Sequence, residues 1–195
     1  MAPRVTALVD EPRGRVRVEL DGVPWRVVPG AAVVGAGLRV GGELDRQRAR
    51  MLRHELRRAE ALAIATGALA RRDYSTADLD ARLERRGVAP GERARAIATL
   101  ERAGYLDDDR LAAGRTAELA ARGYGDEWIR LDLERHGVGR EVIEGMLATL
   151  PAESERAAEQ AVRAGRGPSV ARRLAAKGFT AESIESVLEA HGDPP

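Results

Sequence analysis

The chain has 195 residues, with 32 basic against 31 acidic side chains, a formal charge of +1, 44% hydrophobic residues and only 3% aromatic ones. The absence of cysteine excludes disulfides and thiolate metal sites. The near-neutral charge argues against a strongly basic nucleic-acid binder, and no stretch approaches ~18 consecutive apolar residues, so no membrane span is expected.

The N-terminal region, residues 1–42, reads as a β-rich segment. Val5-Thr6-Ala7-Leu8-Val9 and Val16-Arg17-Val18-Glu19-Leu20 are strand-like, and Asp21-Gly22 is a hairpin signal. Trp25-Arg26-Val27-Val28 is the candidate returning strand, closed by Pro29-Gly30, and Ala31 to Leu38 reads as a short helix or turn. Three short strands make only a small core, so this segment either packs on the helices or stays mobile.

A long helix is expected from about Glu43 to Arg71, with Leu44, Leu52, Leu56, Ala59, Leu62 and Leu69 on one face. Ser75-Thr76-Ala77-Asp78 resembles a capping box for the next helix, which ends at Gly87. Pro90 sits in the first turn of a third helix that ends near Gly104.

Asp107 is placed to cap the next helix, with Asp108 and Asp109 in its first turn, where the helix dipole favours carboxylates. Consecutive acids point in different directions around a helix start, so capping explains them better than a metal. Helices follow from about Asp126 to His136 and from Gly139 to Leu150, where Ile143, Met146, Leu147 and Leu150 form an apolar stripe. The last three helices are expected near residues 152–164, 168–177 and 181–190, with Pro168 and Thr180 as start signals.

One pattern recurs through this series. Glycines stand at Gly87, Gly137 and Gly178, 50 and then 41 residues apart. Eight residues before each lie Leu79, Ile129 and Val170; four before lie Leu83, Leu133 and Leu174; ten after lie Ile97, Leu147 and Leu188. Self-similarity at such a period points to stacked helical units, each too small to bury its own core. The expected fold is mainly α, an elongated array of three tandem three-helix repeats at residues 43–104, 105–150 and 151–191 behind the β-rich segment 1–42. Arrays of this kind present extended surfaces and usually bind something large.

Enzyme signatures are nearly absent. His54-Glu55 lacks the second histidine of a zinc helix, and Gly35-Ala36-Gly37 and Gly165-Arg166-Gly167 lack the rest of a dinucleotide fingerprint. No catalytic residue, metal or cofactor is expected. Charge is strongly patterned instead: six arginines against Glu55 between Arg46 and Arg58, then Arg163, Arg166, Arg172, Arg173 and Lys177 without an acid between Gln160 and Ala181. Such blocks suit an anionic partner or a charge-matched protein surface, or are simply solvated. Arg72, Arg86, Arg130, Arg135, Arg172, Arg173 and Lys177, on or beside the middle helices, are the candidate partner-binding residues. Cations in last helical turns also favour the helix dipole, which is the structural alternative. Trp128, beside Ile129, reads as core rather than as a binding anchor.

These residues carry a family resemblance. Ala103-Gly104-Tyr105-Leu106-Asp107-Asp108-Asp109-Arg110-Leu111-Ala112, then Arg122-Gly123-Tyr124-Gly125, Ile129, Leu133 and Arg135-His136-Gly137-Val138, resemble the signature of the RecX family. So do Arg72-Asp73-Tyr74-Ser75 with Arg85-Arg86-Gly87-Val88, and Lys177-Gly178-Phe179 with Ile184. The likeness spans roughly residues 43–190. The chain departs from it at Leu111 and Arg115, where the family commonly carries aromatics, so helix packing around Arg115 is expected to differ. The resemblance implies a curved helical array that lies in the groove of the RecA–DNA filament. It implies restraint of filament growth, and damped recombination, RecA ATPase and co-protease activity, with no chemistry done by the regulator. A cytoplasmic monomer, with weak direct DNA contact at most, fits that role. A direct DNA-binding protein and a helical scaffold for another partner remain as alternatives.

Overall fold

A computed structural model describes residues 1–164 and 169–191; Arg166, the Gly165-Arg166-Gly167 run and Pro168 lie outside the described residues. The described chain is mainly helical, with ten helices behind a three-stranded antiparallel sheet. It forms two compact units: Met1–Arg72 with Asp80–Ala103, and Asp73–Leu79 with Gly104–Pro195.

In the first unit, β1 (Val5–Glu11), β2 (Arg15–Leu20) and β3 (Val23–Pro29) pair in sequence order. Asp21 and Gly22 both take positive φ, 51° and 83°, the two-residue turn whose twist matches its strands. One face of the sheet is buried. Val5, Val18 and Val28 pack with Ala32 and Val33 of α1 (Gly30–Gly35), and with Leu44 and Leu52. The N-terminal segment therefore packs on helices, the first of its two expected states.

The long helix α2 (Arg46–Leu69) starts later than expected, because the Asp45 carboxylate accepts the Arg48 amide at 2.8 Å and fixes the first turn there. Leu44 thus belongs to the sheet core rather than to the helix face. The buried face also differs. Leu52 is buried in the first half, but in the second half Ala61, Ala65 and Ala68 are buried while Leu62 and Leu69 stay half-exposed. The reason is a change of neighbour: α4 (Pro90–Arg102), with Ala96, Ile97 and Leu100 buried, packs on α2, and small side chains allow two helices to approach closely. Between them in sequence is α3 (Thr76–Arg85), whose Leu79 and Leu83 are fully buried.

In the second unit, α5 (Asp108–Ala121), α6 (Asp126–Arg135) and α7 (Arg140–Leu147) enclose Ala112, Leu119, Ile129, Leu133, Val138, Ile143 and Leu147. Next, α8 (Glu153–Ala164), α9 (Ser169–Ala176) and α10 (Ala181–His191) enclose Ala157, Ala161, Val170, Leu174, Phe179 and Val187. The segment 73–79 is joined to the first group. The Ser75 hydroxyl donates to the His136 carbonyl and accepts the Asp78 amide at 3.1 Å.

The three repeated glycines share one geometry. Gly87, Gly137 and Gly178 have φ of 76°, 72° and 75°. The next amide in each case returns to the carbonyl five residues back: Val88 to Leu83 at 3.1 Å, Val138 to Leu133 at 3.1 Å and Phe179 to Leu174 at 3.2 Å. This is a Schellman ending, which needs a left-handed residue and brings the following apolar side chain back onto the core. At the opposite end of α5, Asp107 accepts the Arg110 amide at 2.9 Å. Asp107→Ala is expected to lower stability by about 1 kcal/mol, seen as a lower urea midpoint at unchanged m; an unchanged midpoint would rule out this cap.

Arg115, at the departure from the family pattern, is half-buried and bonds Asp132 on α6 through two nitrogens at 2.6 and 2.8 Å. A bidentate ion pair takes the place of apolar contact there. Burial works to raise the Asp132 pKa, but the Arg115 hydrogen bonds and charge outweigh it and hold the carboxylate below its ordinary value.

Candidate partner-binding surface

The candidate cations fall into different environments. In the first unit, Arg72 and Arg86 are exposed. Arg86 shares the lining of a small cavity, about 140 Å³, with Arg57 of α2. In the second unit, Arg135 at the end of α6 and Arg172 and Arg173 on α9 are exposed. None of Arg86, Arg135, Arg172 and Arg173 makes a side-chain ion pair among the described residues. Arg130 is committed: its guanidinium bonds both Glu144 oxygens, at 2.9 and 3.2 Å. That bond raises the Arg130 pKa and lowers that of Glu144. Lys177 is half-buried, and its ammonium donates to the Arg122 carbonyl at 3.1 Å and to Gln160 Oε1 at 3.4 Å.

Lys177 belongs to a cluster that the sequence did not flag. Helix α6 turns Ile129 fully inward and leaves Trp128 38% exposed, because successive helical residues point about 100° apart. Trp128 is therefore not core, contrary to the expectation from its apolar neighbour. Its ring stacks on Tyr124 with centroids 5.3 Å apart and planes 16° from parallel. Arg122 and Lys177 lie over the Tyr124 ring at 5.4 and 5.6 Å, within cation–π range. Leu131, 39% exposed, follows Trp128 by three residues on the same helix, and exposed Arg135 follows Leu131 by four. An aromatic and aliphatic pair rimmed by cations is the composition of an interaction hot spot.

Glycines hold this cluster in place. A Cβ at Gly178 would meet Trp128 Cβ at 2.6 Å, and one at Gly125 would strike the backbone of Gly178 and Phe179. The Gly125 amide donates to the Lys177 carbonyl at 2.9 Å and the Glu127 amide to the Gly178 carbonyl at 3.0 Å. The sequence signal was present in Arg122-Gly123-Tyr124-Gly125 with Trp128 four residues beyond Tyr124. Only the turn geometry shows that the two rings meet.

The described residues contain no group of three or more acidic or histidine side chains able to hold a metal. No helix among them is long and apolar enough to cross a membrane.

No protein-family model matches the chain. Among curated proteins, it is 35% identical over 143 residues to the regulatory protein RecX of Acidithiobacillus ferrooxidans (strain ATCC 53993 / BNL-5-31), covering 68% of this chain and 91% of that protein. It is 33% identical over 132 residues to the regulatory protein RecX of Xanthomonas axonopodis pv. citri (strain 306), covering 63% and 82% respectively. The fold superimposes on a crystal structure of a regulatory protein RecX with a TM-score of 0.80 over 96% of this chain and 99% of the other, at 19% identity. A RecX structure from Lactobacillus salivarius gives a TM-score of 0.61 over 69% of this chain and 96% of the other, at 14% identity. With a relative at 35% identity aligned along 68% of its length, and the same fold in solved structures, the chain belongs to the RecX family.

Proposed function

We propose that this protein binds RecA recombinase filaments and inhibits RecA strand exchange, ATPase and co-protease activity, so modulating recombination and DNA repair. Family membership supports the partner. The observation that carries the reading within the molecule is the exposed Trp128–Tyr124 stack rimmed by Arg122, Lys177 and Arg135. A regulator that works by occupancy needs anchors and charge rather than a reaction centre.

In this reading the helices act as three tandem three-helix repeats, residues 43–104, 105–150 and 151–191, behind the β-rich segment 1–42. The shared glycine endings at Gly87, Gly137 and Gly178 support it. Arg86, Arg135, Arg172 and Arg173, which make no side-chain ion pair among the described residues, are the leading candidates for contact with an acidic groove wall, and Arg72, Arg130 and Lys177 complete the candidate set. The protein acts as a cytoplasmic monomer on the filament.

The test is titration into preformed RecA filaments on single-stranded DNA. ATP hydrolysis and strand exchange are expected to fall; unchanged rates at saturating protein, with RecA from the same source, would exclude the function. Reversing Arg172→Glu and Arg173→Glu together is expected to weaken filament binding and leave the melting curve nearly unchanged, since exposed charges contribute little to stability. Parent-like binding would remove both residues from the site.

A further inference from the structure

The three-stranded sheet is not used by the reading above, and its two edges differ. At the start of β1 the outer edge is closed. The Val5 amide donates to the Gly42 carbonyl at 2.8 Å and the Gly41 amide to the Val5 carbonyl at 2.8 Å, with Arg4 bridged to Glu43 beside them. Farther along, β1 carries Asp10 and Glu11. The opposite edge is β3. It holds Pro24 and Pro29, residues that a sheet tolerates at its edge because they have no N–H to give to a ladder.

The register shows which backbone groups of β3 are open. Its pairs with β2 include Arg15 with Pro29, Val16 with Val28, Arg17 with Val27 and Val18 with Arg26. Just beyond them, the Gly30 amide donates to the Gly14 carbonyl at 2.9 Å. Bonded and non-bonded pairs alternate along an antiparallel ladder. Counting from Gly30, Val28 and Arg26 bond β2, and Val27 turns its amide and carbonyl away from it. The carbonyl is met there by a side chain, Arg15 Nη2 at 3.0 Å. The Val27 side chain, in one row with Arg17 and Val9, is 39% exposed, and Trp25, skipped by the pairing at the bulge, is 45% exposed. Arg13, Arg15 and Arg26 are exposed and make no side-chain ion pair among the described residues.

We propose that the β3 edge binds an extended acidic peptide, which adds a fourth strand and alternates carboxylates with apolar side chains. Backbone bonds to the Val27 amide and carbonyl supply the pairing, Trp25 and Val27 the apolar contact, and Arg13, Arg15 and Arg26 the charge complement. The β1 side, closed at its start and acidic beyond, offers no such match. A second copy of the chain fits the edge worse, because it brings its own basic rim and its own two prolines. A nucleic-acid strand has no alternating N–H and C=O groups to pair with a sheet edge. The prolines keep the pairing window short, which guards the edge against open-ended sheet growth.

The experiment uses the full-length protein and no recombinase, so its failure leaves the RecA reading untouched. Fluorescence anisotropy is measured with a labelled peptide alternating aspartate and valine, and with one alternating lysine and valine. The acidic peptide is expected to bind saturably and the basic one not to bind. N-methylation of alternate backbone amides, tried in both phases, is expected to abolish binding in one phase and spare it in the other, since a paired strand turns every second amide to its neighbour. Arg13→Glu with Arg26→Glu, and separately Trp25→Ala, are expected to weaken binding about tenfold. Arg140→Glu, exposed in the second unit, is expected to keep the parental affinity. Hydrogen exchange at the Val27 amide of the parent is expected to slow when the peptide is bound. Failure of the acidic peptide to bind, equal binding of the basic one, equal effects of the two methylation phases, or unchanged Val27 exchange in the complex each overturns the proposal. So does parental affinity in the Arg13/Arg26 pair. A concentration-dependent dimer that the peptide does not dissociate also overturns it, and would give the edge to a second copy.

Discussion

Replacing Glu153 with alanine is expected to destabilise the second unit by about 3 kcal/mol, from one carboxylate at the first residue of α8. One oxygen accepts the Asp126 amide at 2.7 Å, at the start of α6. The other accepts the Thr180 amide at 3.2 Å, the Thr180 hydroxyl and the Ser183 hydroxyl at 2.7 Å, at the start of α10. A single charge therefore satisfies donors at two helix N-termini, where the macrodipoles also favour it. Removing it strands those donors, and Ser183 is only 6% exposed. Glu153→Gln keeps one acceptor and is expected to lose about half as much.

The same site makes stability depend on pH. Burial alone would raise the Glu153 pKa, but its hydrogen bonds from Thr180, Asp126 and Ser183 outweigh burial and hold it below the ordinary 4.5. A carboxylate with a depressed folded pKa contributes stability that is fully present above the unfolded value and is lost as pH falls through the folded one. Asp126, ion-paired with Arg156, runs the other way: burial dominates and raises its pKa, so its protonation in acid offsets part of the loss. Urea melts between neutral pH and pH 3 should show the parent losing stability more steeply than Glu153→Gln. Equal pH slopes, or an alanine variant within about 0.5 kcal/mol of the parent at neutral pH, would show that the carboxylate does not hold these helix ends.

Leu133→Ala is expected to cost roughly 2–5 kcal/mol, the range for truncating a fully buried leucine. Leu133 is 0% exposed among Ile129, Val138, Ile143 and Leu147, in the helix end whose carbonyl accepts the Val138 amide. Leu131→Ala is the internal comparison. Two residues away but 39% exposed, it is expected to change stability by less than about 0.5 kcal/mol. Denaturant melts of both variants decide the register of α6. A change within noise for Leu133→Ala, or similar losses for the two, would contradict the inward face described here.

Leu133 was legible in the sequence because helical periodicity is a local property. Eight and four residues before a glycine, Leu79 and Leu83, Ile129 and Leu133, and Val170 and Leu174 share a face whatever the helix packs against. The glycine ending was equally local: a left-handed residue after an apolar turn is a backbone requirement, and Gly87, Gly137 and Gly178 meet it. Asp107 as a cap and Asp21-Gly22 as a hairpin turn follow from the same short-range chemistry. The family signature is written in those local features.

What lay out of reach depends on which element arrives from elsewhere in the chain. The buried side of α2 shifts from Leu52 to Ala61, Ala65 and Ala68 on a helix that α4 packs against, and no periodicity within α2 specifies that neighbour. Arg115 reads as a misfit until Asp132, 17 residues away, supplies its partner. Arg130 and the Arg46–Arg58 block look alike as charge, yet Glu144 occupies the first, while four members of the second make no ion pair among the described residues. The sequence determined the helical character, the glycine endings and the family. The tertiary structure decided which charges and rings remain available, because availability is set by long-range contacts that cancel or bury side chains of identical type.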